Sequence, residues 1–341
     1  MRAARVFADL TLRLDELASP VPRPGEVLVR IHAAGVCGTD LHILDGMIKP
    51  EPYPMTIGHE SAGVVETTGG GTALAAGDRV AIYNKLFCGW CEQCLAGRHN
   101  ICDNERGQLG FNMDGGDAEY AVVPERNLVP VPGSVDLATA AVLSCAGMTA
   151  VHSARLSRLR LGQTAVVNGI GGVGILTVQA ARQAGGRVIA VADSQAKLDL
   201  ALAHGAADGV LMARPEEYAN LPAGIRDLTG GRGADVFFEL VGTTDSMTAG
   251  IRSLAKGGTF VSTGYTDQPM NVHPIEFILS ETTLVSTVAA TRQDLQDAIA
   301  LAAAGVMTVP IAGRYPLDGV HDALAALRGR AVLGRQILDL A

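Results

Sequence analysis

The chain has 341 residues, of which 48% are hydrophobic and 18% are charged, a composition typical of a folded protein with a well-buried core. This length exceeds what one hydrophobic core usually serves, and it predicts two domains. The formal net charge of -8 and the 4% aromatic content disfavour nucleic acid and anionic membranes as partners, because both bind basic surfaces.

The N-terminal segment MRAARVFADLTLRLDE carries scattered charges, so we predict no signal peptide, and we predict no membrane-spanning helix elsewhere. The expected location is the cytoplasm, where thiols stay reduced or bind metal. Up to about residue 146, short valine-rich runs such as GEVLVRIHAAG and GDRVAI alternate with glycine and proline. This pattern indicates β structure with turns.

Two short motifs in the β region, GVCGTDLHILDG and TIGHESAGVV, carry side chains that bind metals or move protons. These side chains belong to Cys37, Thr39, Asp40, His42, His59 and Glu60. Each is weak evidence by itself, because a buried cysteine is usually a small hydrophobe. Asp40 also fits the cap of a helix beginning near Leu41, and His42 also fits a solvated histidine on a helix face.

Four of the six cysteines lie in the segment CGWCEQCLAGRHNIC, at Cys88, Cys91, Cys94 and Cys102. The spacing C-x2-C-x2-C-x7-C favours four thiolates around one tetrahedral zinc ion. An iron–sulfur cluster also uses short cysteine spacings. Disulfides are a third interpretation, although they suit small secreted chains better. Four protein ligands leave no position for a substrate, so a zinc ion held here is predicted to be structural.

This cysteine-rich segment resembles the structural zinc lobe of zinc-dependent medium-chain alcohol dehydrogenases, and the resemblance extends over nearly the whole chain. It implies an α/β protein with two domains. The first, residues 1–146 and 288–341, is a GroES-like β-barrel catalytic domain that carries both zinc sites. The second, residues 147–287, is a Rossmann domain with a doubly wound parallel sheet that binds NAD or NADP.

The same resemblance implies a catalytic zinc site whose ligands are Cys37, His59 and Cys145, the last from the segment VLSCAGMTAVHSA. Asp40 is then expected to hold the ring of His59, and Glu60 to lie beside the metal. A proton relay is implied from the substrate hydroxyl through Thr39 to His42. All six cysteines are then used, and the expected content is two zinc ions per chain.

The segment TAVVNGIGGVGILTVQAARQAGGRVIAVADSQAKL predicts a strand over 165–168, a helix over 175–184 and a strand over 187–191. Between the first strand and the helix, Gly169, Gly171 and Gly174 form G-x-G-x-x-G. The first glycine permits the tight turn, the second lets backbone approach a pyrophosphate, and the third lets the helix pack on the strand. Such a motif is weak alone and strong inside a strand–turn–helix unit.

The adenosine ribose of the cofactor is expected near Asp193 and Lys197. The family places the acidic residue that binds this ribose at the position that Ala192 fills here, so Asp193 lies one residue late. Asp193 also fits the N-terminal cap of the next helix. No arginine follows to hold a 2′-phosphate, so we prefer NAD and leave NADP open. The resemblance adds four further cofactor contacts, at Thr149, Gly172, Val173 and Arg335.

Two later runs, GADVFFELVG and GGTFVSTGY, are continuous and apolar, as is typical of buried parallel strands. The segment TDSMTAGIRSLAK between them has a helical pattern. The C-terminal segment GRAVLGRQILDL returns to strand character. These elements predict the remaining β–α units of the doubly wound sheet and the return of the chain to the first domain.

The resemblance implies an NAD(P)-dependent enzyme that transfers hydride between an alcohol and its aldehyde or ketone, and that forms a homo-oligomer, either dimer or tetramer. A polyol or other special-alcohol dehydrogenase with the same machinery is an alternative. A zinc-free enone or quinone reductase is disfavoured, because such enzymes lack the cysteine lobe. A zinc protein that senses NAD without catalysis is the alternative from another class. The sequence identifies neither the substrate nor the direction of the reaction.

Overall fold

The computed structural model describes all residues, 1–341, in eighteen strands and eleven α-helices. The strands are β1 (Arg2–Val6), β2 (Leu12–Glu16), β3 (Glu26–Val36), β4 (Met55–Thr56), β5 (Ser61–Thr68), β6 (Arg79–Ile82), β7 (Lys85–Leu86), β8 (Gly107–Gln108), β9 (Tyr120–Pro124), β10 (Leu128–Pro130), β11 (Thr164–Asn168), β12 (Arg187–Ala192), β13 (Asp208–Leu211), β14 (Ala234–Glu239), β15 (Leu254–Ser262), β16 (Thr283–Ser286), β17 (Ile311–Tyr315) and β18 (Arg335–Asp339).

The helices are α1 (Gly38–Leu44), α2 (Glu92–Leu95), α3 (Leu137–Val142), α4 (Met148–Ser157), α5 (Gly174–Gln183), α6 (Gln195–Ala203), α7 (Leu221–Leu228), α8 (Thr244–Arg252), α9 (Pro274–Ile278), α10 (Arg292–Ala303) and α11 (Val320–Arg328). Between α3 and α4 the chain forms a π-helical turn, Leu143–Gly147. The helix expected near Leu41 is α1, which begins three residues earlier, at Gly38, with Asp40 in its capping box. The helix predicted after residue 244 ends at Arg252, and Leu254 already opens β15.

The chain divides into two compact units, Met1–Met148 with Ala290–Ala341, and Thr149–Ala289. The domain boundaries predicted from the sequence lie between residues 146 and 147 and between residues 287 and 288. The first unit holds a three-stranded sheet, β2-β1-β4, and a seven-stranded sheet in the order β10-β6-β5-β3-β18-β17, with β9 also paired to β3. The long strand β3 is the organising element of this unit, because β5, β9 and β18 all hydrogen bond to it.

The second unit contains one six-stranded sheet in the order β13-β12-β11-β14-β15-β16, and every neighbouring pair is parallel. Its central strands are apolar on both faces; Val166, Phe237, Phe238 and Phe260 are fully buried. This order is that of a doubly wound dinucleotide-binding sheet, whose ligands bind beyond the carboxyl ends of the strands. The predicted α/β fold class, a barrel-type domain plus a Rossmann domain, is confirmed.

One helical stretch, Leu137–Ser157, is long and apolar enough to cross a membrane by length and composition. Its mean hydropathy is 1.4 over the window, but 78% of that window is buried inside the protein. The core helix of a folded protein passes the same test of length and hydropathy, so this stretch is weak evidence for a membrane span.

Candidate active site and metal centres

The four cysteines of the segment 88–102 form a closed, buried cluster. Their Sγ atoms all lie within 4.8 Å of one another. Cys88 Sγ is 3.9 Å from Cys94 Sγ, and Cys91 Sγ is 3.9 Å from Cys102 Sγ. Sulfurs at about 2.3 Å from a tetrahedral zinc ion lie about 3.8 Å apart, so the cluster fits that ion.

Backbone N–H groups around this cluster are directed at its sulfurs. The N–H groups of Trp90 and Cys91 donate to Cys88 Sγ at 3.4 and 3.3 Å. Burial opposes a thiolate at Cys88, but these two N–H donors together with the neighbouring thiols of Cys102 and Cys91 lower the pKa of Cys88 to about 6. The Cys94 N–H donates to Cys91 Sγ at 3.5 Å, and the Cys88 N–H donates to Cys102 Sγ at 3.3 Å. These donors therefore favour a thiolate at Cys88, whereas burial raises the pKa of Cys94 to about 12.

A second cluster joins Cys37, His59, Glu60 and Cys145, whose ligand atoms also lie within 4.8 Å of one another. The register of the main sheet of the first unit brings these distant segments together. Cys37 directly follows β3 and is the N-cap of α1. His59 and Glu60 directly precede β5, which pairs with β3. Cys145 lies in the π-helical turn, a feature often found at functional sites.

The ring of His59 is oriented by a buried carboxylate. Asp40 Oδ1 faces His59 Nδ1 at 3.4 Å, within ion-pair distance, and neither atom makes a hydrogen bond. Asp40 Oδ2 accepts the backbone N–H of Cys37 at 2.8 Å. One carboxylate thus braces both the imidazole and the first turn of α1, and the opposite ring nitrogen of His59 is left to bind an ion.

Glu60 is fully buried, and its carboxylate accepts hydrogen bonds from Arg335 through both oxygens. Burial raises the pKa of Glu60 to about 7, although the Arg335 guanidinium opposes the rise. Strand β18 pairs Gln336 with Val36, which places Arg335 level with Cys37. A Cβ atom on Gly35 would lie 2.1 Å from Glu60 Oε2, so glycine is needed there to make room for the carboxylate.

Thr39 and His42 both lie on α1, three residues apart, and therefore share one face of the helix. Thr39 Oγ1 is 3.7 Å from Cys37 Sγ; Cys37 is buried, and Thr39 and His42 are half-buried. The structure thus brings together, in the first unit, the side chains predicted for the catalytic metal and the relay. It adds Arg335 to this group; the contact predicted between Arg335 and cofactor phosphates stays a prediction.

The predicted nucleotide loop lies between β11 and α5 in the second unit. Gly169 has φ of 100°, a left-handed conformation that favours glycine. A Cβ on Gly174 would lie 2.0 Å from the Gly169 carbonyl oxygen, whereas one on Gly171 would meet no atom within 4 Å. The loop is therefore tightly folded at both ends and open at Gly171. The helix N-terminus beside it suits a pyrophosphate.

The other predicted cofactor residues also lie in the second unit. Asp193 follows β12, and its carboxylate accepts two hydrogen bonds from Lys197 Nζ at 2.7 and 2.9 Å. Thr149 is buried in α4, and Gly172 and Val173 are half-buried in the loop. The sequence analysis did not predict the Asp193–Lys197 ion pair, which joins the residue before the N-cap of α6 to the first turn of that helix.

Three supports of the second cluster were missed by the sequence analysis. Asn84 Nδ2 donates to the carbonyl oxygen of His59 at 3.1 Å, and Ser144 Oγ accepts the N–H of Ser61 at 3.1 Å. The third support is Arg335, which holds Glu60 and was predicted from the sequence only as a contact of the cofactor. These contacts join residues far apart in sequence, so no local motif signals them.

Comparison with known proteins gives the same assignment. The family model described as "Alcohol dehydrogenase GroES-like domain" matches residues 23–133, and the model described as "Zinc-binding dehydrogenase" matches residues 172–304. An alcohol dehydrogenase of Geobacillus stearothermophilus is 33% identical over 333 residues, 96% of each chain.

Solved structures agree over the whole length. A crystal structure of an NAD-dependent alcohol dehydrogenase superposes with a TM-score of 0.92 at 30% identity and covers 100% of both chains. A cobalt- and zinc-bound thermostable alcohol dehydrogenase from Pyrobaculum aerophilum gives a TM-score of 0.90 at 32% identity and covers 99% of both chains. The chain belongs to the zinc-type medium-chain alcohol dehydrogenase family.

Proposed function

We propose that this protein is a zinc-dependent oxidoreductase that transfers a hydride between an alcohol and NAD, forming the corresponding aldehyde or ketone. The observation that carries the proposal is the buried cluster of Cys37, His59 and Cys145, with ligand atoms within 4.8 Å of one another. Two sulfurs and one imidazole nitrogen are a ligand set that zinc prefers, and three ligands leave a fourth position for substrate.

The residues of the cluster and those around it have different roles. Cys37, His59 and Cys145 hold the ion, and Asp40 keeps the ring of His59 in the tautomer that leaves the binding nitrogen free. Arg335 balances the charge of Glu60 beside the ligands. When bound, zinc supplies Lewis acidity, which lowers the pKa of bound water from 15.7 to about 7 in favourable sites.

A substrate hydroxyl at this site needs an acceptor for its proton. We assign that task to Thr39 Oγ1, which is half-buried 3.7 Å from Cys37 Sγ and gives up its own hydroxyl proton as it takes the substrate's. His42, one helical turn further along α1, passes the proton to solvent. General acid–base steps of this kind contribute about 10²- to 10⁴-fold in rate.

The second unit supplies the cofactor site in this proposal. The loop Gly169–Gly174, which includes Gly172, and the N-terminus of α5 bind the pyrophosphate, with Val173 and Thr149 toward the nicotinamide. Asp193 follows β12 and favours the two ribose hydroxyls of NAD over the 2′-phosphate of NADP, because a carboxylate repels a phosphate. The nicotinamide supplies the hydride chemistry when bound.

The four-cysteine lobe holds the second zinc ion, which is structural, so the proposed content is two zinc ions per chain. The six thiols, none of which forms a disulfide, support a reducing compartment, and we propose the cytoplasm.

We also propose a homo-oligomer, either a dimer or a tetramer. Strand β16 is an edge of the parallel sheet and carries exposed Leu284, and the adjoining Ile278 and Leu279 are 72% and 71% exposed. An exposed apolar edge strand is a template for pairing with another chain. Leu279→Lys should lower the mass measured by light scattering, and an unchanged mass would contradict this interface.

The decisive experiment combines elemental analysis with an alcohol screen. Purified protein should hold two zinc equivalents and reduce NAD, followed by absorbance, with members of a panel of primary, secondary and polyhydric alcohols. NADP should support slower turnover than NAD. One metal equivalent in fully loaded protein, or iron in place of zinc, would contradict the metal assignment. NAD binding without turnover on any alcohol or carbonyl would favour the non-catalytic alternative.

A further inference from the structure

The π-helical turn Leu143–Gly147 interrupts one long helical stretch at the point that carries Cys145. The Met148 N–H is directed at the carbonyl oxygen of Leu143, five residues back, as in a π-turn. A π-turn inserts one residue into a helix and so rotates the side chains that follow or occupy it. Because such a turn is less favourable than continuous α-helix, contacts from elsewhere are needed to hold it.

Ser144, the residue before Cys145, makes such contacts. It is fully buried, and its Oγ donates to the carbonyl oxygen of Ala141 at 2.7 Å. The same Oγ accepts the backbone N–H of Ser61 at 3.1 Å, across 83 residues of sequence. One hydroxyl thus joins the helix that carries Cys145 to the strand end that carries His59 and Glu60.

We propose that Ser144 is a positioning residue for the open metal site, holding Cys145 in register with His59. The inference rests on the proposed function, since it takes Cys145 and His59 as ligands of one ion. Further hydrogen bonds hold the peptide groups between His59 and Ser61. Asn84 Nδ2 donates to the His59 carbonyl oxygen, and the Gly35 N–H donates to the Glu60 carbonyl oxygen at 2.8 Å. Ser144 supplies the link to the third ligand.

The chain contains a matched control for this contact. Ser157 is also buried in a helical segment, its Oγ donates to the carbonyl oxygen of Ala154 at 2.7 Å, and it accepts the N–H of Leu159 at 3.1 Å. Donor, acceptors and distances are the same as at Ser144, but Ser157 lies in the second unit and contacts no proposed ligand segment. Loss of the Ser144 hydroxyl leaves the buried Ser61 N–H without its acceptor, and loss of the Ser157 hydroxyl does the same for the half-buried Leu159 N–H.

The test compares Ser144→Ala and Ser157→Ala in the full-length, zinc-loaded protein. Zinc retained per chain is measured against increasing pyridine-2,6-dicarboxylate. We expect Ser144→Ala to release one zinc equivalent at about tenfold lower chelator concentration than wild type, the lower end of the effect seen when supports of metal ligands are removed. Ser157→Ala should match wild type. Ser144→Thr, which keeps the hydroxyl, should restore retention.

Cobalt(II) substitution gives a readout that a general loss of stability does not change. The thiolate absorption bands should shift in Ser144→Ala, because the geometry at Cys145 changes, and stay unchanged in Ser157→Ala. Retention and spectra equal to wild type in Ser144→Ala would overturn the inference, as would equal losses in both variants. A wild-type protein that holds one metal equivalent would instead overturn the proposed function. If Ser144→Ala is recovered unfolded, its refolding yield is compared with and without Cys37→Ser, which removes a ligand of the open site: a zinc dependence that Cys37→Ser weakens supports the inference, and an unchanged zinc dependence, which belongs to the closed cluster, overturns it.

Discussion

The two cysteine clusters of the first unit are assembled in different ways. The four sulfurs of Cys88–Cys102 come from one short segment and are surrounded by N–H groups of that same segment. The ligands of the open cluster come from three separate segments that the main sheet and the helix after α3 bring together. A metal in the first cluster should therefore hold its own lobe together, whereas the second cluster is held mainly by the protein around it.

The largest expected effect is on catalysis, from Cys37→Ser. A serine hydroxyl is not deprotonated at neutral pH and is a poor zinc ligand, so the open site loses the charge stabilisation worth several kcal/mol that a metal supplies. Turnover should fall by at least about 10³-fold, since each 1.36 kcal/mol is tenfold. NADH affinity, measured by fluorescence titration, and the melting temperature should change little. Wild-type turnover would remove Cys37 from the mechanism.

The next effect is on stability, from Cys91→Ser in the closed cluster. With one thiolate missing, the lobe loses a metal whose binding is coupled to folding. We expect a loss of about 4 kcal/mol, which corresponds to a fall in melting temperature of about 10 °C for a unit of this size. Calorimetry on zinc-replete wild type and Cys91→Ser measures the difference in melting temperature. A melting temperature equal to that of wild type would contradict a structural role, and a larger fall in Cys37→Ser would reverse the comparison.

The charges behind the open cluster provide a third test. Arg335→Met leaves the Glu60 carboxylate buried without its guanidinium, and such a change costs about 3 kcal/mol. The double variant Arg335→Met with Glu60→Gln has no uncompensated charge, and it should recover most of the lost free energy of unfolding. Urea unfolding measures this recovery. Additive losses would show that the pair is not coupled. A weaker NADH affinity in the double variant would support the predicted contact between Arg335 and cofactor phosphates.

The smallest expected effect concerns helix α3, which leads to Cys145. Asp136 caps this helix, accepting the Thr139 N–H at 2.9 Å, and Asp136→Ala should cost about 1 kcal/mol. Partial burial opposes the Asp136 charge, but the hydrogen bonds from Thr139 lower its pKa below the usual value. The stabilisation is therefore fully present above about pH 4 and is lost as the pH falls through the lowered pKa. Unfolding curves should therefore show a difference in the free energy of unfolding between wild type and Asp136→Ala of about 1 kcal/mol at pH 7 and a smaller one at pH 3. The same difference at both pH values would contradict this assignment.

The sequence predicts the features whose geometry is local. Cysteines at fixed short spacing identify the closed cluster, and glycines between an apolar run and a helical pattern identify the nucleotide loop, because in both cases neighbours in sequence are neighbours in space. The resemblance adds the ligands of the open site. Arg335 meets Glu60 across 275 residues only through the pairing of β18 with β3, and no residue spacing encodes that register.

Helix α1 shows the same limit at short range. Asp40 fits a helix cap on propensity alone, and the predicted start near Leu41 followed from that preference. In the structure Cys37 is the N-cap, and Asp40 lies inside the first turn with one oxygen on the Cys37 N–H and the other near His59. Asp40 therefore has both roles that the sequence offered for it: it completes the capping box of α1 and faces the imidazole, and the second role is visible only after folding.

Every cysteine of the chain belongs to one of the two clusters. In zinc-loaded protein no native thiol is then left for alkylating reagents, and the number of reactive thiols becomes a direct count of vacated clusters, four for the closed one and two for the open one. A cysteine introduced on an exposed surface would, for the same reason, be a selective attachment point for a dye or a spin label.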